Sequence, residues 1–258
     1  MKPLRCLRLA LLALALPAAA AAGEGSRNGQ QNDANNPLTP KAAIQMQDYI
    51  QPILSGQPWA GANQFLARGV MPHELLGIPQ LARASLPVVA NAWGPHGAAN
   101  GIGDLTIFDM AVKAFGERKI GAGPLFVAPT ASDRSLGSGK WQLGVQTVMS
   151  MPHEWGLTSL LSAYQQSTDS ALKTLTLQPL LFVNLEDGYY LRSTGIATFN
   201  LGLNSVVPVG LGIGRAIERP SGHVINVFVE PQYSVLQTGP GVPSFQVFAG
   251  VNLQFPLR

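Results

Sequence analysis

Twelve polar or charged side chains lie within segments that the sequence predicts to be β-strands. Amides, guanidinium groups and carboxylates bind solutes through hydrogen bonds and ion pairs. If the strands close into a barrel, inward-facing groups of this kind would line a path through it, or in a narrow barrel pair with one another and fill the bore. The candidates for this inner lining are Asp109, Lys113, Gln142, Gln146, Gln178, Asn184, Arg192, Asn200, Arg215, Asn226, Glu230 and Gln232.

A Met-Pro-His-Glu sequence occurs twice, at residues 71–74 and 151–154. Histidine and glutamate are metal ligands, so two such turns at one edge of a sheet could approach a metal ion. Two turns that use the same proline chemistry would give the same repeat. We favour the second interpretation and predict neither a metal site nor a cofactor.

The serines suggest no catalytic site. A hydrolase in a barrel wall needs a serine, a histidine and an orienting polar residue that meet. Ser159 and Ser162 lie on a predicted strand without a histidine, and the Gly-x-Ser-x-Gly elbow is absent. Phosphate-binding motifs are also missing, so we predict no enzymatic activity.

The N-terminus has the pattern of a secretory signal peptide. Basic residues precede the apolar stretch from Leu9 to Leu16, and an alanine run follows to Ala22. The alternative, a retained membrane anchor, would require a longer apolar run. The sole cysteine, Cys6, precedes the apolar stretch, which argues against lipidation. Residues 1–22 are therefore predicted to be removed on export.

Export changes the charge and the available chemistry of the chain. The full sequence has 17 basic and 14 acidic residues, and loss of Lys2, Arg5 and Arg8 leaves 14 of each sign. A neutral chain without a clustered basic face is not expected to bind nucleic acid. Without cysteine, it would also lack disulfides and thiolate metal sites.

The remainder divides into three parts. Residues 23–40 are polar and rich in Asn and Gln, which predicts a disordered leader. Residues 41–61 fit either a short helix or a first strand, because their apolar residues have mixed spacings. Residues 62–258 are predicted to form a barrel with strands at 62–71, 79–92, 103–115, 118–128, 140–151, 154–166, 173–185, 188–201, 206–217, 222–236 and 243–255.

The connections between these strands alternate between short turns and longer loops. The short ones include 116–119 and 186–188, whereas 94–102 and 129–139 are among the longer ones. Membrane barrels have short periplasmic turns and longer external loops, and bacterial ones have an even number of strands. We therefore predict an all-β, antiparallel transmembrane β-barrel of about twelve strands, with ten as the alternative, in which the segment near 44–55 supplies the missing strand.

The last strand shows the clearest alternation of apolar residues. It ends in an aromatic residue close to the chain terminus, as expected for the strand that the barrel-assembly machinery recognises. The predicted terminal assembly strand presents Phe245, Val247, Val251, Leu253 and Phe255 on one face.

Several segments resemble one family of Gram-negative outer-membrane barrels. They are 101–105 (GIGDL), 121–124 (GAGP) continuing to 128–131 (APTA), 136–144 (LGSGKWQLG), 177–180 (LQPL), 207–214 (VPVGLGIG) and 253–256 (LQFP), with 83–87 (RASLP) fitting an early strand. In order and spacing they are similar to the putative transporter family of the meta-pathway of phenol degradation, often labelled bacterial "neuromedin U". The resemblance covers about residues 60–258.

The resemblance implies an outer-membrane location and transport. We expect a passive channel for small compounds, aromatic or apolar ones among them, whose partners are outer-membrane lipid, the barrel-assembly machinery and small apolar solutes. The alternative is a closed structural or adhesion barrel without transport activity. A soluble, lipocalin-like periplasmic binder is a third interpretation of the same strand pattern.

Overall fold

The computed structural model describes residues 24–94 and 97–256. The predicted signal peptide and its cleavage site lie outside this range. Within it, none of the helices is long and apolar enough to cross a membrane.

One helix precedes an all-β body. The helix is α1 (Glu24–Asn35), and a short 3₁₀ turn spans Glu186–Gly188. The strands are β1 (Ala42–Leu54), β2 (Gly61–Leu75), β3 (Ile78–Gly94), β4 (Gly97–Gly101), β5 (Leu105–Phe115), β6 (Arg118–Ala128), β7 (Gln142–His153), β8 (Gly156–Ser167), β9 (Lys173–Asn184), β10 (Tyr189–Ser193), β11 (Ala197–Asn200), β12 (Asn204–Gly210), β13 (Gly212–Glu218), β14 (Val224–Thr238) and β15 (Pro243–Phe255).

These segments form a closed antiparallel barrel of 12 strands. Three barrel strands are interrupted: β4 and β5 both pair with β3, β10 and β11 both pair with β9, and β12 and β13 both pair with β14. The predicted fold class is confirmed. The additional strand needed for an even number is β1, so the structure has a strand in the region where a helix was the alternative.

The barrel closes where β1 pairs with β15. The register runs from Ala42 opposite Phe255 to Leu54 opposite Pro243. It shifts after Ile50, beside Pro52, because proline has no N–H to donate to the neighbouring strand. This seam leaves neither strand with a free edge along most of its length.

Alternation along each strand separates an inner from an outer face. In β14 the even-numbered residues Asn226, Glu230 and Gln232 are buried, whereas the odd-numbered Val229 and Tyr233 are 43% and 65% exposed. Residues directly opposite one another on paired strands share a face, so the phase of one strand fixes that of its neighbours. The outer surface is therefore mainly apolar and the lumen mixed.

The two ends of the barrel differ in their connections. The short turns, the start of β1 and the end of β15 lie at one end, which we call the turn end. The opposite, loop end has the longer connections, including residues 129–141. Asp104 orders that loop, since its carboxylate accepts hydrogen bonds from the backbone N–H groups of Ala131 and Ser138 at 3.1 and 2.6 Å.

The N-terminal leader differs from its predicted disorder. Residues 24–35 form α1, and Gln31, Asn32 and Leu38 are buried within the turn end of the barrel. A helix satisfies most of its own backbone hydrogen bonds, which suits a segment shielded from water. We call residues 24–40 the N-terminal plug.

Candidate functional site

Most of the predicted lining residues do face the lumen. Strand phase and cross-strand register place nine of them there: Gln142, Gln146, Gln178, Asn184, Arg192, Asn200, Asn226, Glu230 and Gln232. Many of them bond to one another or to the plug.

Asp109 and Lys113 were predicted to face inward, but they lie on the outer face. Asp109 is paired with Ala82, and the inward residues of β5 are Phe108 and Met110. The carboxylate of Asp109 lies 3.0 Å from Nε2 of His73, also on the outer face near the turn end. Charged groups are tolerated there because long or paired side chains reach the polar edge of an apolar surface.

Arg215 is the third prediction that was wrong. It is paired with Tyr189 and Val227, which are outward-facing positions. Its guanidinium lies 4.7 Å from the centre of the Tyr189 ring, and its Nε donates to the carbonyl of Asp187 at 3.1 Å. The inward neighbours on β13, Gly212 and Gly214, leave room instead for Glu230 and Tyr190.

The strongest polar contact of the lumen is a buried ion pair. Arg192 Nε donates to Oε2 of Glu230 at 2.8 Å, and the two side chains are 6% and 0% exposed. Glu230 also accepts from the backbone N–H and the hydroxyl of Thr194 at 2.7 and 2.6 Å, and from Nε2 of Gln232 at 2.8 Å. All four hydrogen bonds satisfy the carboxylate, as a buried charge requires.

A ladder of aromatic rings runs from this ion pair across the lumen. The Arg192 guanidinium lies 3.6 Å from the centre of the Phe228 ring. Phe228 contacts Phe248 with a centroid distance of 4.9 Å, and Phe248 stacks on Tyr49 at 4.2 Å. The ladder thereby connects β10 and β14 to β1 through β15.

Beyond Tyr49 lies a second cationic cluster, which we call the arginine pair: Arg68 on β2 and Arg83 on β3. Arg68 Nη1 donates to Oε1 of Gln47, and the Arg83 guanidinium lies 4.3 Å from the centre of the Phe108 ring. Neither arginine nor Tyr49 was predicted from the sequence. The available signal was a single charge within each of two predicted strands, Arg68 in 62–71 and Arg83 in 79–92.

The plug is held at the turn end by amide hydrogen bonds. Asn32 Nδ2 donates to the carbonyl of His153 at 2.9 Å, and its Oδ1 accepts from Asn184 at 2.9 Å. Nδ2 of Asn226 and Nε2 of Gln254 donate to the carbonyl of Ala34 at 3.3 and 2.8 Å. The backbone joins α1 to the wall at β1, and these hydrogen bonds fix its position within the lumen.

Packing supplements those bonds beside Leu38, which contacts the apolar cluster that includes Met110 and Leu161. Gly121 faces this contact. A Cβ atom at Gly121 would lie 2.6 Å from Sδ of Met110, closer than real contacts, and 3.0 Å from Cδ2 of Leu38, tighter than most. The absence of a side chain there makes room for the plug.

Between the plug and the aromatic ladder remains a cavity of about 120 Å³. Its lining combines both cationic clusters with apolar rings and plug residues, among them Arg68, Arg83, Arg192, Phe108, Phe228 and Lys41. Such a space can hold polar and apolar parts of one small molecule at the same time.

The two Met-Pro-His-Glu sequences have different surroundings. His73 contacts Asp109 on the outer face, whereas His153 stacks on Trp155 and has its Nε2 2.9 Å from the hydroxyl of Thr158. In the part of the chain that is described, no group of three His, Cys, Asp or Glu residues could hold a metal ion.

Comparison with known proteins gives structural likeness without sequence likeness. No family model and no curated protein matches the chain. An outer membrane channel from Pseudomonas putida F1 superposes with a TM-score of 0.65 and 14% identity, over 84% of this chain and 97% of that one. The KdgM porin, solved with disordered oligogalacturonate, has a TM-score of 0.47, 10% identity and coverage of 84% and 99%.

The first of these similarities shows that the chain has the fold of an outer-membrane β-barrel over 84% of its length.

Proposed function

We propose that the chain is an outer-membrane channel that passes small solutes passively and is not an enzyme. The observation that carries this proposal is the lumen itself. It has a polar and cationic lining, a cavity of about 120 Å³, and at one end a plug that is joined to β1 by its backbone and held against the other strands by noncovalent contacts. A barrel with a purely structural role would more simply fill its bore with side chains from its wall.

The outer surface supports an outer-membrane location reached by export. Leu143, Val145 and Met149 on β7 are between 45% and 49% exposed, as are many other apolar side chains on the outer face. A contiguous apolar exterior of this kind suits contact with lipid. The terminal strand also presents its predicted recognition residues outward, which supports handling by the barrel-assembly machinery.

The proposed solutes are small compounds, with aromatic or apolar molecules among them. Phe108, Phe182, Phe228 and Phe248 all line the cavity. The motif resemblance to the phenol meta-pathway transporter family agrees with this choice, since an aromatic solute can stack on such rings.

The alternative, a closed barrel without transport activity, has one observation in its favour. The plug fills the turn end, and its Gln31, Asn32 and Asn36 are at most 7% exposed. The two functions differ in what happens when the plug is absent.

Removal of residues 24–39 from the mature chain tests the proposal. Single-channel recordings in planar bilayers are expected to show small conductance events for the intact protein and several-fold larger ones for the deletion variant, because the lumen widens at its turn end. Liposome swelling should show the same order for small neutral solutes.

A deletion in the loop at 132–136 is the matched control, because it shortens the chain at the opposite end and leaves the plug in place. It should preserve the conductance of the intact protein. If the intact protein passes no ions or solutes, transport is excluded and the closed barrel is the better description.

A further inference from the structure

We infer that the arginine pair, with Phe108, forms a binding site inside the lumen for the carboxylate group of a small organic acid with an apolar or aromatic body. The site lies on the wall formed by β1, β2, β3 and β5, and Arg192 of the Arg192–Glu230 ion pair lines the same cavity. The assignment of such acids as solutes rests on the proposed channel function, whereas the binding site rests on the geometry alone.

Two guanidinium N–H groups of this wall are buried without a hydrogen-bond partner. Nε of Arg68 and Nε of Arg83 have none among the described residues. They come from adjacent strands, with Arg68 opposite Gln45 on β1 and Arg83 opposite Val70 on β2. A buried donor left without a partner costs about 1–3 kcal/mol, so two neighbouring ones indicate a missing acceptor.

The cluster also lacks negative charge. The ion pairs among the described residues are His73 with Asp109, Lys140 with Asp169, and Arg192 with Glu230. Neither member of the arginine pair therefore has a carboxylate partner, and each lies within the electrostatic influence of the other. An anion between them would relieve this repulsion and supply the missing acceptor, since guanidinium donors match the two oxygens of a carboxylate.

The surroundings select an acid with an apolar body. The Phe108 ring lies against Arg83, and the same cavity is lined by Met110, Leu161 and Phe248. The cavity of about 120 Å³ is smaller than the cavity of about 150 Å³ that holds a whole benzene, but it is partly open and not enclosed. A benzoate-sized molecule can place its carboxylate on the arginines with its ring against the apolar side chains, and part of it would extend out of the cavity.

Isothermal titration calorimetry of the full mature protein in detergent with benzoate tests the site without requiring conduction. Benzoate is expected to bind the wild type and to bind Arg83→Gln about tenfold or more weakly, because a charge-assisted contact is lost. Arg83→Lys should lie between them, as it keeps the charge but loses the planar fork. Arg118→Gln removes one charge from the exposed start of β6 and should bind like the wild type.

Neutral benzyl alcohol and inorganic phosphate complete the experiment. Both are expected to bind much more weakly than benzoate, the first for lack of charge and the second for lack of an apolar body. Equal benzoate affinity in wild type and Arg83→Gln would overturn the site, provided that both run as folded barrels on an unheated gel. Phosphate affinity equal to that of benzoate would overturn the assignment to organic acids.

Conduction separates this inference from the proposed function. If benzoate binds as described but the protein passes no solute in bilayers, the channel proposal fails and the site stands. If the protein conducts but benzoate does not bind, the binding site is excluded and the channel proposal stands.

Discussion

The lumen contains two cationic clusters whose charges are handled differently. Arg192 has a carboxylate partner, and that carboxylate in turn accepts four hydrogen bonds. Arg68 and Arg83 lie at the other end of the aromatic ladder. Arg68 contacts the amide of Gln47 and Arg83 contacts the ring of Phe108, but neither has a counter-ion among the described residues. The comparison indicates that the first cluster holds the barrel together and the second is available to a ligand.

The largest loss in the free energy of unfolding is expected from Glu230→Gln. The variant leaves Arg192 charged and buried without a counter-ion, which costs about 3–5 kcal/mol. Urea titration of the refolded protein in lipid vesicles measures the free energy of unfolding. Glu117→Gln, on the exposed turn between β5 and β6, is the control and should change it little. A loss below about 1 kcal/mol in Glu230→Gln would show that the pair does not stabilise the barrel.

Arg83→Met, measured without ligand, is expected to change the free energy of unfolding less and in the opposite direction. Removal of a partly buried charge that lacks a counter-ion relieves a desolvation cost, and methionine keeps apolar contact with Phe108. The free energy of unfolding should stay the same or rise by up to about 1 kcal/mol. Arg192→Met, measured in parallel, leaves Glu230 unpaired and should lose about 3–5 kcal/mol. Equal losses in the two variants would remove the distinction between the clusters.

The smallest effect belongs to the exposed pair at the loop end. Lys140 Nζ donates to Asp169 at 2.8 Å, and Ser167 donates to the same carboxylate at 2.9 Å. These hydrogen bonds, that from Lys140 foremost, hold the pKa of Asp169 below its usual value of 3.8. A lowered pKa adds stability above the pKa of the unfolded chain, and this contribution disappears as the pH falls through the folded value.

Asp169→Asn should therefore melt slightly below the wild type at neutral pH and together with it at a pH well below 3.8. Differential scanning calorimetry at the two pH values measures the difference. An exposed pair contributes little, so a gap of more than a few degrees at neutral pH would mean that the loop depends on this contact more than its exposure suggests.

The sequence was sufficient for the strands because alternation is a local signal. Gln142 and Gln146, or Asn226 and Glu230, share a strand with apolar residues of the opposite phase, and the structure places all four inside. The prediction was wrong for Asp109, Lys113 and Arg215 because a charge near the turn end is stable on the outer face as well. Their orientation depends on neighbouring strands, where Ala82 and Val227 fix the phase.

The plug and the arginine pair could not be predicted for a different reason. Residues 24–40 contain few apolar side chains, so composition alone predicts disorder. Their partners Asn184, Asn226 and Gln254 are more than 150 residues away in the chain. Arg68 and Arg83 likewise become recognisable as one cluster only when β1 to β5 are paired, which brings them beside Tyr49 and Phe108.

The seam between β1 and β15 has a consequence for biogenesis. It joins Ala42 to Phe255, so the barrel cannot close until β15 has been made. A truncated product lacking β15 would expose two long strand edges, on β1 and β14, that are prone to pair with other chains. Premature termination before β15 should therefore yield aggregation or degradation rather than a smaller barrel. Only chains that include β15 would then persist in the envelope.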